Sequence, residues 1–161
     1  MGIDAIRTMQ AKDVIAAKMA SAYVTVNGER FLLFQAKNLK AYLKKDKQEV
    51  AILGRMSKGH KTVSVDGTGT MTIYKNTAIF DQMLLKLKNT GEDTYFDMQL
   101  SNDDPTSAAG RQTTILKDCN IDGADIANFD ADGEWLEQEI DFTYEDIEQP
   151  EQFAVLDGMK A

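Results

Sequence analysis

Glu49-Val-Ala-Ile-Leu-Gly54-Arg-Met-Ser-Lys-Gly59-His60-Lys61-Thr62-Val-Ser-Val-Asp66-Gly67-Thr-Gly69-Thr-Met-Thr-Ile-Tyr-Lys75 is the stretch whose reading decides the fold. Gly54 and Gly59 have the spacing of a phosphate-binding loop. In such a loop backbone amides wrap the phosphates, a lysine neutralises them and the next hydroxyl ligates magnesium. Here His60 is inserted ahead of Lys61-Thr62, which moves the lysine off the helix start from which it must project. Thr62 to Asp66 is β-branched and alternating, where the motif requires a helix. Gly67-Thr68-Gly69 opens like a dinucleotide fingerprint, but Thr72 stands where the third glycine belongs and no helix follows. A glycine-punctuated turn between two strands remains. Glu49 to Leu53 reads as a strand ending at Gly54. Thr68 to Lys75 reads as a second strand, with Thr70, Thr72 and Tyr74 opposed to Met71 and Ile73. The glycines serve positive φ or close approach of neighbours.

Outward from this stretch the pattern stays mostly β. Ala22 to Val26, then Asn27-Gly28, then Glu29 to Phe34 reads as a hairpin, because both central residues of a type I′ turn need φ > 0. Asn38 to Lys47 alternates Leu39, Ala41 and Leu43 against Lys40, Tyr42 and Lys44, although Leu39 and Leu43 also fit helical spacing. One helix is expected over Ala78 to Leu87, with Asn76 or Thr77 as N-cap and Gly91 as its stop. Its apolar stripe is Ile79, Phe80, Met83, Leu84 and Leu87. Strands follow at Thr94 to Leu100, Thr113 to Lys117 and along Trp135 to Asp146. The expected organisation is an N-terminal arm or short helix (1–20, with apolar Ile3, Ile6 and Met9), a β domain (21–150) and a C-terminal tail (151–161) after Pro150. The residues alone give an antiparallel, mainly β (α+β) domain with one packed helix.

At 161 residues the chain suits one domain with a sizeable core. No apolar run reaches about 18 residues, so no membrane-spanning helix is expected. Asp4 and Arg7 interrupt the N-terminal apolar residues, so no secretory segment is read there. A single cysteine, Cys119, cannot form an internal disulfide and suits a reducing compartment. The net charge of −8 divides unevenly. Residues 1–88 hold 15 Lys/Arg against 7 Asp/Glu, and residues 89–161 hold 3 against 19. Either both halves are simply solvated, or the basic surface of one copy meets the acidic surface of another. Contacts of the second kind generate rings or open filaments.

Other candidate sites are sparse. Asn128, Asp130, Asp132, Gly133 and Glu139 match an EF-hand loop at positions 1, 3, 5, 6 and 12, and are the candidate metal ligands. Ile140-Asp-Phe142-Thr-Tyr144 alternates as a strand where that motif needs a helix, and Leu136 replaces a polar ligand. An acidic turn into a strand is the plainer reading. Lys37, Lys40, Lys44, Lys45 and Lys47 with Tyr42 invite nucleic-acid backbone. The acidic balance and the lack of an aromatic platform favour a solvated or subunit-facing strand. His60 near Asp66 does not make a triad, and Asp118 and Asp122 beside Cys119 blunt it as a nucleophile. No enzyme activity and no cofactor is expected.

The order of elements nevertheless has a resemblance. Glu49 to Thr62 with Asp66 to Lys75, then Phe80 and the helix, Tyr95-Phe96 and the acidic Leu136 to Asp146 resemble tail tube proteins of PBSX-like contractile phages. The tubes of R-type bacteriocins are similar. The resemblance spans roughly Val24 to Pro150. It implies a small barrel or sandwich with one flanking helix and a long extended hairpin, Asn38 to Leu53, returning through Gly54 to Gly69. It further implies six-membered rings stacked into a hollow tube, with sheath, baseplate and tape-measure proteins as partners. In a phage, DNA would pass without specific binding; no membrane insertion is implied. Assembly would take place in the bacterial cytoplasm and end in a virion tail or tail-like particle. Lys40, Tyr42, Lys44, Lys45, Lys47, Arg55 and Lys61 would then face other subunits, and Lys86 and Lys88 the sheath. The alternatives are a small calcium- or ligand-binding β module and a type VI secretion tube subunit.

Overall fold

The structure, a computed structural model, describes residues 7–33 and 35–160. In chain order it contains a 3-10 turn (Ala11–Asp13), β1 (Ala20–Val26), β2 (Glu29–Leu32), β3 (Ala36–Val50) and β4 (Gly59–Tyr74). There follow α1 (Ile79–Thr90), β5 (Phe96–Asp103), β6 (Arg111–Ala124), β7 (Glu137–Tyr144) and β8 (Asp146–Glu151). The chain is mainly β and antiparallel, with a single α-helix among the described residues. It divides into two compact units. One comprises the described residues of Met1–Phe34, Asp97–Leu116 and Ile147–Ala161; the other comprises Gln35–Phe96 and Lys117–Asp146.

In the first unit the strand order is β2-β1-β5-β6, with β8 also paired to β6. Asn27 (φ 50°) and Gly28 (φ 83°) turn β1 into β2, both in the left-handed region that a type I′ hairpin requires. Val26 faces Glu29 and Tyr23 faces Leu32 across the pair. The expected last residue of this hairpin, Phe34, lies outside the described residues, as do Ile3 and Ile6 of the expected arm. Ala22, Val24, Leu33, Met98, Ala109 and Leu116 are the buried apolar residues here. Pro150, expected to mark where the β domain gives way to the tail, sits within β8. A proline lacks the N–H of a central strand and is tolerated at an edge. Arg111 fixes this strand through Glu151 at 2.9 Å, and Thr113 Oγ1 donates to the same carboxylate at 3.2 Å. These partners are far away in sequence, so no local pattern announced the strand.

Residues 10–19 are tied to the β5–β6 connection by side chains. The Asp104 carboxylate accepts the Ala16 and Thr106 amides, each at 3.0 Å. Ser107 Oγ donates to the Asp13 carbonyl at 2.8 Å, and the Ala108 amide to the Asp13 carboxylate at 3.1 Å. The Ala16 amide first, then that of Thr106, hold the Asp104 carboxyl below its ordinary pKa. A depressed carboxylate contributes stability that is present above the unfolded value and lost as pH falls through the folded one. Acidification below about pH 4 is therefore expected to release residues 10–19 before the rest unfolds. Hydrogen exchange should show Ala16 losing protection both at low pH and, at neutral pH, in Asp104→Ala. Unchanged protection in that variant would show that the clasp rests on Asp13 instead.

The second unit has the order β6-β7-β4-β3, so β3 is its edge, and among the described residues the sheet does not close into a barrel. β3 and β4 pair from Ala36·Ile73 out to Val50·Gly59, with irregularities at Ala36/Asn38 and Asp46/Lys47. The expected glycine-rich connection over Gly54 to Gly69 is thus corrected. The linker is residues 51–58, and Gly59 to Gly69 already belongs to β4. The β-branched Thr62, Val63 and Val65 explain why the strand starts early. Met71 and Ile73 of β4 turn inward with Ile140, Phe142 and Tyr144 of β7, all buried. In α1, Phe80 and Met83 are buried and Phe80 meets Phe96 edge-on at 6.2 Å. Ile79 and Leu84 are half-buried, and Leu87, expected in the seat, is exposed. Gly91 ends the helix as expected, in the left-handed region (φ 77°) with its N–H on the Leu87 carbonyl. At the other end the N-cap is Ala78 rather than the expected Asn76 or Thr77 and makes no side-chain cap bond, although Thr77 Oγ1 accepts the Ile79 amide at 3.4 Å.

Candidate assembly interface

The β3–β4 hairpin carries the surface of greatest interest. Up to Ala41 and Gly67 one of its faces is covered, while residues 42–50 and 60–66 are exposed on both faces. A two-stranded ribbon uncovered on both sides is marginal in water. Alternation along β3 splits the expected interface residues between its faces. Lys40, Tyr42 and Lys44, opposite Thr70, Thr68 and Asp66, share one face. Lys45 and Lys47, opposite Val65 and Thr62, share the other. Beyond the irregularity Lys61, opposite Gln48, returns to the first face, and Arg55 sits in the tip. The seven residues therefore do not form one patch; they encircle the ribbon.

The face bearing Lys40 continues across the sheet. Lys40 and Tyr42 border an open groove with Thr68, Thr70, Asp122 and Asp141, of about 440 Å³. Threonines of β4 lie between a basic β3 and an acidic β7, with Thr70 opposite Asp141 and Thr72 opposite Glu139. On the covered face, Gly67 and Gly69 lie opposite Tyr144 and Phe142, whose rings fold across them. Neither glycine has positive φ. Of the two reasons the sequence offered for these glycines, close approach is the operative one. Tyr144 reaches back over Gly67 to donate its hydroxyl to the Tyr42 carbonyl at 2.9 Å, and burial raises its pKa.

The turn at the ribbon's tip has Gly54 at φ 81° and an Arg55 amide on the Ile52 carbonyl at 3.2 Å. Strands flank it on both sides, so it has no helix N-terminus on which a phosphate would rest. Residues 125–136 likewise form an acidic turn into β7. Asn128 donates to the Glu137 carbonyl, and Asp130 Oδ1 accepts the Asp132 amide. Glu139 stands in β7 with its amide 3.4 Å from Asp125 Oδ2. Among the described residues no group of three or more His, Cys, Asp or Glu side chains converges as a metal site. Lys37 pairs with Glu137 at 2.8 Å, which raises the lysine's pKa and lowers the carboxyl's. Two apolar features escaped the sequence reading: Leu53 and Met56 at the tip, and Phe129 in the acidic turn, all essentially fully exposed. Their signal was apolar side chains inside segments otherwise made of glycine and charge.

The class is thus a mainly-β antiparallel chain with one α-helix among the described residues, a long ribbon uncovered on both faces and β3 at a sheet edge. Residues 7–151 match the family model described as phage tail tube protein, and the chain belongs to that family. It is 38% identical over 146 residues to protein XkdM of the phage-like element PBSX of Bacillus subtilis, covering 91% of this chain and 97% of the relative. Its fold is that of a chain in the anti-feeding prophage baseplate (TM-score 0.62, 10% identical, 89% of this chain and 97% of the other). It is also that of a chain in the sheath–tube complex of an extracellular contractile injection system in the extended state (TM-score 0.60, 12% identical, 83% and 88%). The fold is therefore the tail tube fold shared by phage tails and contractile injection systems.

Proposed function

We propose that this chain is the inner-tube subunit of a contractile phage tail or phage-tail-like bacteriocin. Six copies form a ring, and rings stack into a hollow conduit. The observation that carries this reading is the β3–β4 ribbon, exposed on both faces from Tyr42 to Asp66 and beside an open sheet edge. Edges and ribbons of this kind are completed by pairing with another copy, which removes the unpaired backbone groups. Lys40, Tyr42, Lys44, Lys45, Lys47, Arg55 and Lys61 are placed at those contacts. The work is mechanical and requires no catalytic or cofactor site. Residues 21–150 act as the tube domain, with 1–20 as arm and 151–161 as tail. Sheath, baseplate and tape-measure proteins are its partners, with the exposed Lys86 and Lys88 of α1 towards the sheath. DNA crosses the acidic lumen of a phage tube without specific binding. Assembly takes place in the bacterial cytoplasm, and the subunit adds no membrane insertion of its own.

Negative-stain microscopy of concentrated protein tests this directly. Hollow tubes or six-fold rings are expected, and a persistent monomer would overturn the reading. Lys44→Glu with Lys45→Glu reverses charge on both faces of the ribbon at once. The monomer is expected to keep its unfolding midpoint while the sedimentable fraction falls several-fold, since like charges would then be forced together across the contact. Tubes sedimenting as in the parent protein would remove these lysines from the interface.

A further inference from the structure

The two ends of β4 are chemically opposite. At its start, the tip over residues 51–61 carries Arg55, Lys58 and Lys61 with no acidic residue, and Lys58 makes one exposed ion pair, 3.2 Å from Glu49 of β3. Leu53 and Met56 there are 102% and 103% exposed. Past its end, residues 126–136 carry Asp130, Asp132 and Glu134 with no basic residue, and Phe129 is 92% exposed. A strand of 16 residues separates them. At 3.3 Å per residue that is roughly 50 Å, so tip and turn of one copy cannot meet.

The acidic turn is also firmly built. Trp135 packs edge-on against Tyr74 at 6.1 Å and donates Nε1–H to Glu137 at 2.6 Å. Lys75 Nζ holds the Asp125 and Ile126 carbonyls at 2.8 and 2.7 Å. Asp130 closes its own turn on Asp132 and Gly133. Phe129 is thus presented outward on a braced loop beside three carboxylates.

We infer that the basic, aliphatic tip of one copy docks on the acidic, aromatic turn of a second copy, with Met56 and Leu53 against Phe129 and Arg55 and Lys58 against Asp130, Asp132 and Glu134. This rests on the tube-subunit reading and names the partner surface within it. The two surfaces are opposite in sign, which favours one register and direction of docking. Methionine against an aromatic ring is a favourable, adaptable contact. Because donor and acceptor surfaces differ, the contact is heterologous and propagates from copy to copy. Each subunit leaves one tip and one turn free until the next arrives.

Cysteine linkage tests the contact. The natural Cys119 is fully buried, so new exposed cysteines report alone. Assembled Met56→Cys/Phe129→Cys protein, oxidised and run without reductant, is expected to give a ladder of covalent multimers. Either single variant can give dimers at most. Arg55→Glu with Lys58→Glu is expected to raise the concentration needed for assembly about tenfold, as two ion pairs become repulsive. Adding Asp132→Lys with Glu134→Lys to that variant, which leaves the turn-closing Asp130 in place, is expected to restore assembly. If the parent protein forms tubes but the double cysteine yields no ladder and the charge reversal is silent, the docking is overturned and the tube reading stands. If the parent protein never assembles, both fall together. Unfolding midpoints of the dilute variants check that each remains folded.

Discussion

Gly69→Ala is expected to destabilise the protein by about 3 kcal/mol, the upper end for overfilling a packed core. In a chain of this size that lowers the unfolding midpoint by roughly 6–12 °C. A Cβ on Gly69 would stand inside the edge of the Phe142 ring, 2.6 Å from its Cε2 and 2.9 Å from the Lys40 carbonyl oxygen. Phe142 is 1% exposed and has nowhere to swing, and the Lys40 carbonyl belongs to the strand ladder. Gly67→Ala meets the Tyr144 ring at 2.5–2.7 Å, and relief by that ring would break its hydroxyl bond to the Tyr42 carbonyl. Gly123→Ala supplies the control, since its Cβ would meet nothing within 4 Å and its φ is not left-handed. It is expected to change stability by less than about 0.5 kcal/mol. Denaturant unfolding of dilute protein checks the series. Shortening the ring in Gly69→Ala/Phe142→Leu should recover part of the loss, a coupling that a double-mutant cycle measures. Equal effects for Gly69 and Gly123 would mean that flexibility, not space, is what the glycines supply.

This reach of glycine beneath aromatic rings marks the boundary of what the sequence disclosed. The Asn27-Gly28 hairpin, the helix stop at Gly91 and the alternation of Ile140, Phe142 and Tyr144 were legible because each is set by residues adjacent in the chain. The resemblance supplied the long hairpin, but its placement of the connection over Gly54 to Gly69 put β4 too late. Glycine is ordinarily a breaker, and nothing local says that Gly67 and Gly69 face Tyr144 and Phe142, some 75 residues on. For the same reason β6 ran well past Lys117 and β8 took in Pro150; their partners are remote in sequence. The interface lysines were legible as a basic alternating run, but not their division between two faces and a tip, which depends on the register of β3 with β4. Likewise Asn128 to Glu139 matched a calcium loop by spacing alone. In the fold Asn128 donates to the Glu137 carbonyl of β7, Asp130 accepts the Asp132 amide within its own turn, and Glu139 lies in β7.

A second large effect is expected at Lys75, which no motif singled out. Its ammonium lies 3.2 Å from the Asp81 carboxylate, with side chains 13% and 14% exposed, and also donates to the Asp125 and Ile126 carbonyls. Gln138, fully buried, donates its amide to Asp81 at 2.6 Å and to the Asp125 carbonyl at 2.9 Å. One cation thus joins the first turn of α1 to the start of the acidic turn, with β7 contributing Gln138. Lys75→Met keeps the aliphatic stem but leaves Asp81 without its counter-charge and removes this donor from the Ile126 carbonyl, while the Asp125 carbonyl keeps Gln138. Breaking one side of a buried pair costs 3–5 kcal/mol, and partial solvent access brings the expectation here to about 3 kcal/mol. Asp81→Asn leaves the lysine its two carbonyls and is expected to cost about half as much. The double variant should cost less than the sum, because the orphaned charge is then absent. Denaturant unfolding measures these losses, and hydrogen exchange locates them: residues 79–84 and 125–134 should lose protection before β3 and β4 do. Because the same lysine braces the turn presenting Phe129, Lys75→Met should also weaken assembly at temperatures where the monomer is still folded. Loss of stability with assembly unaltered would separate this brace from the docking surface.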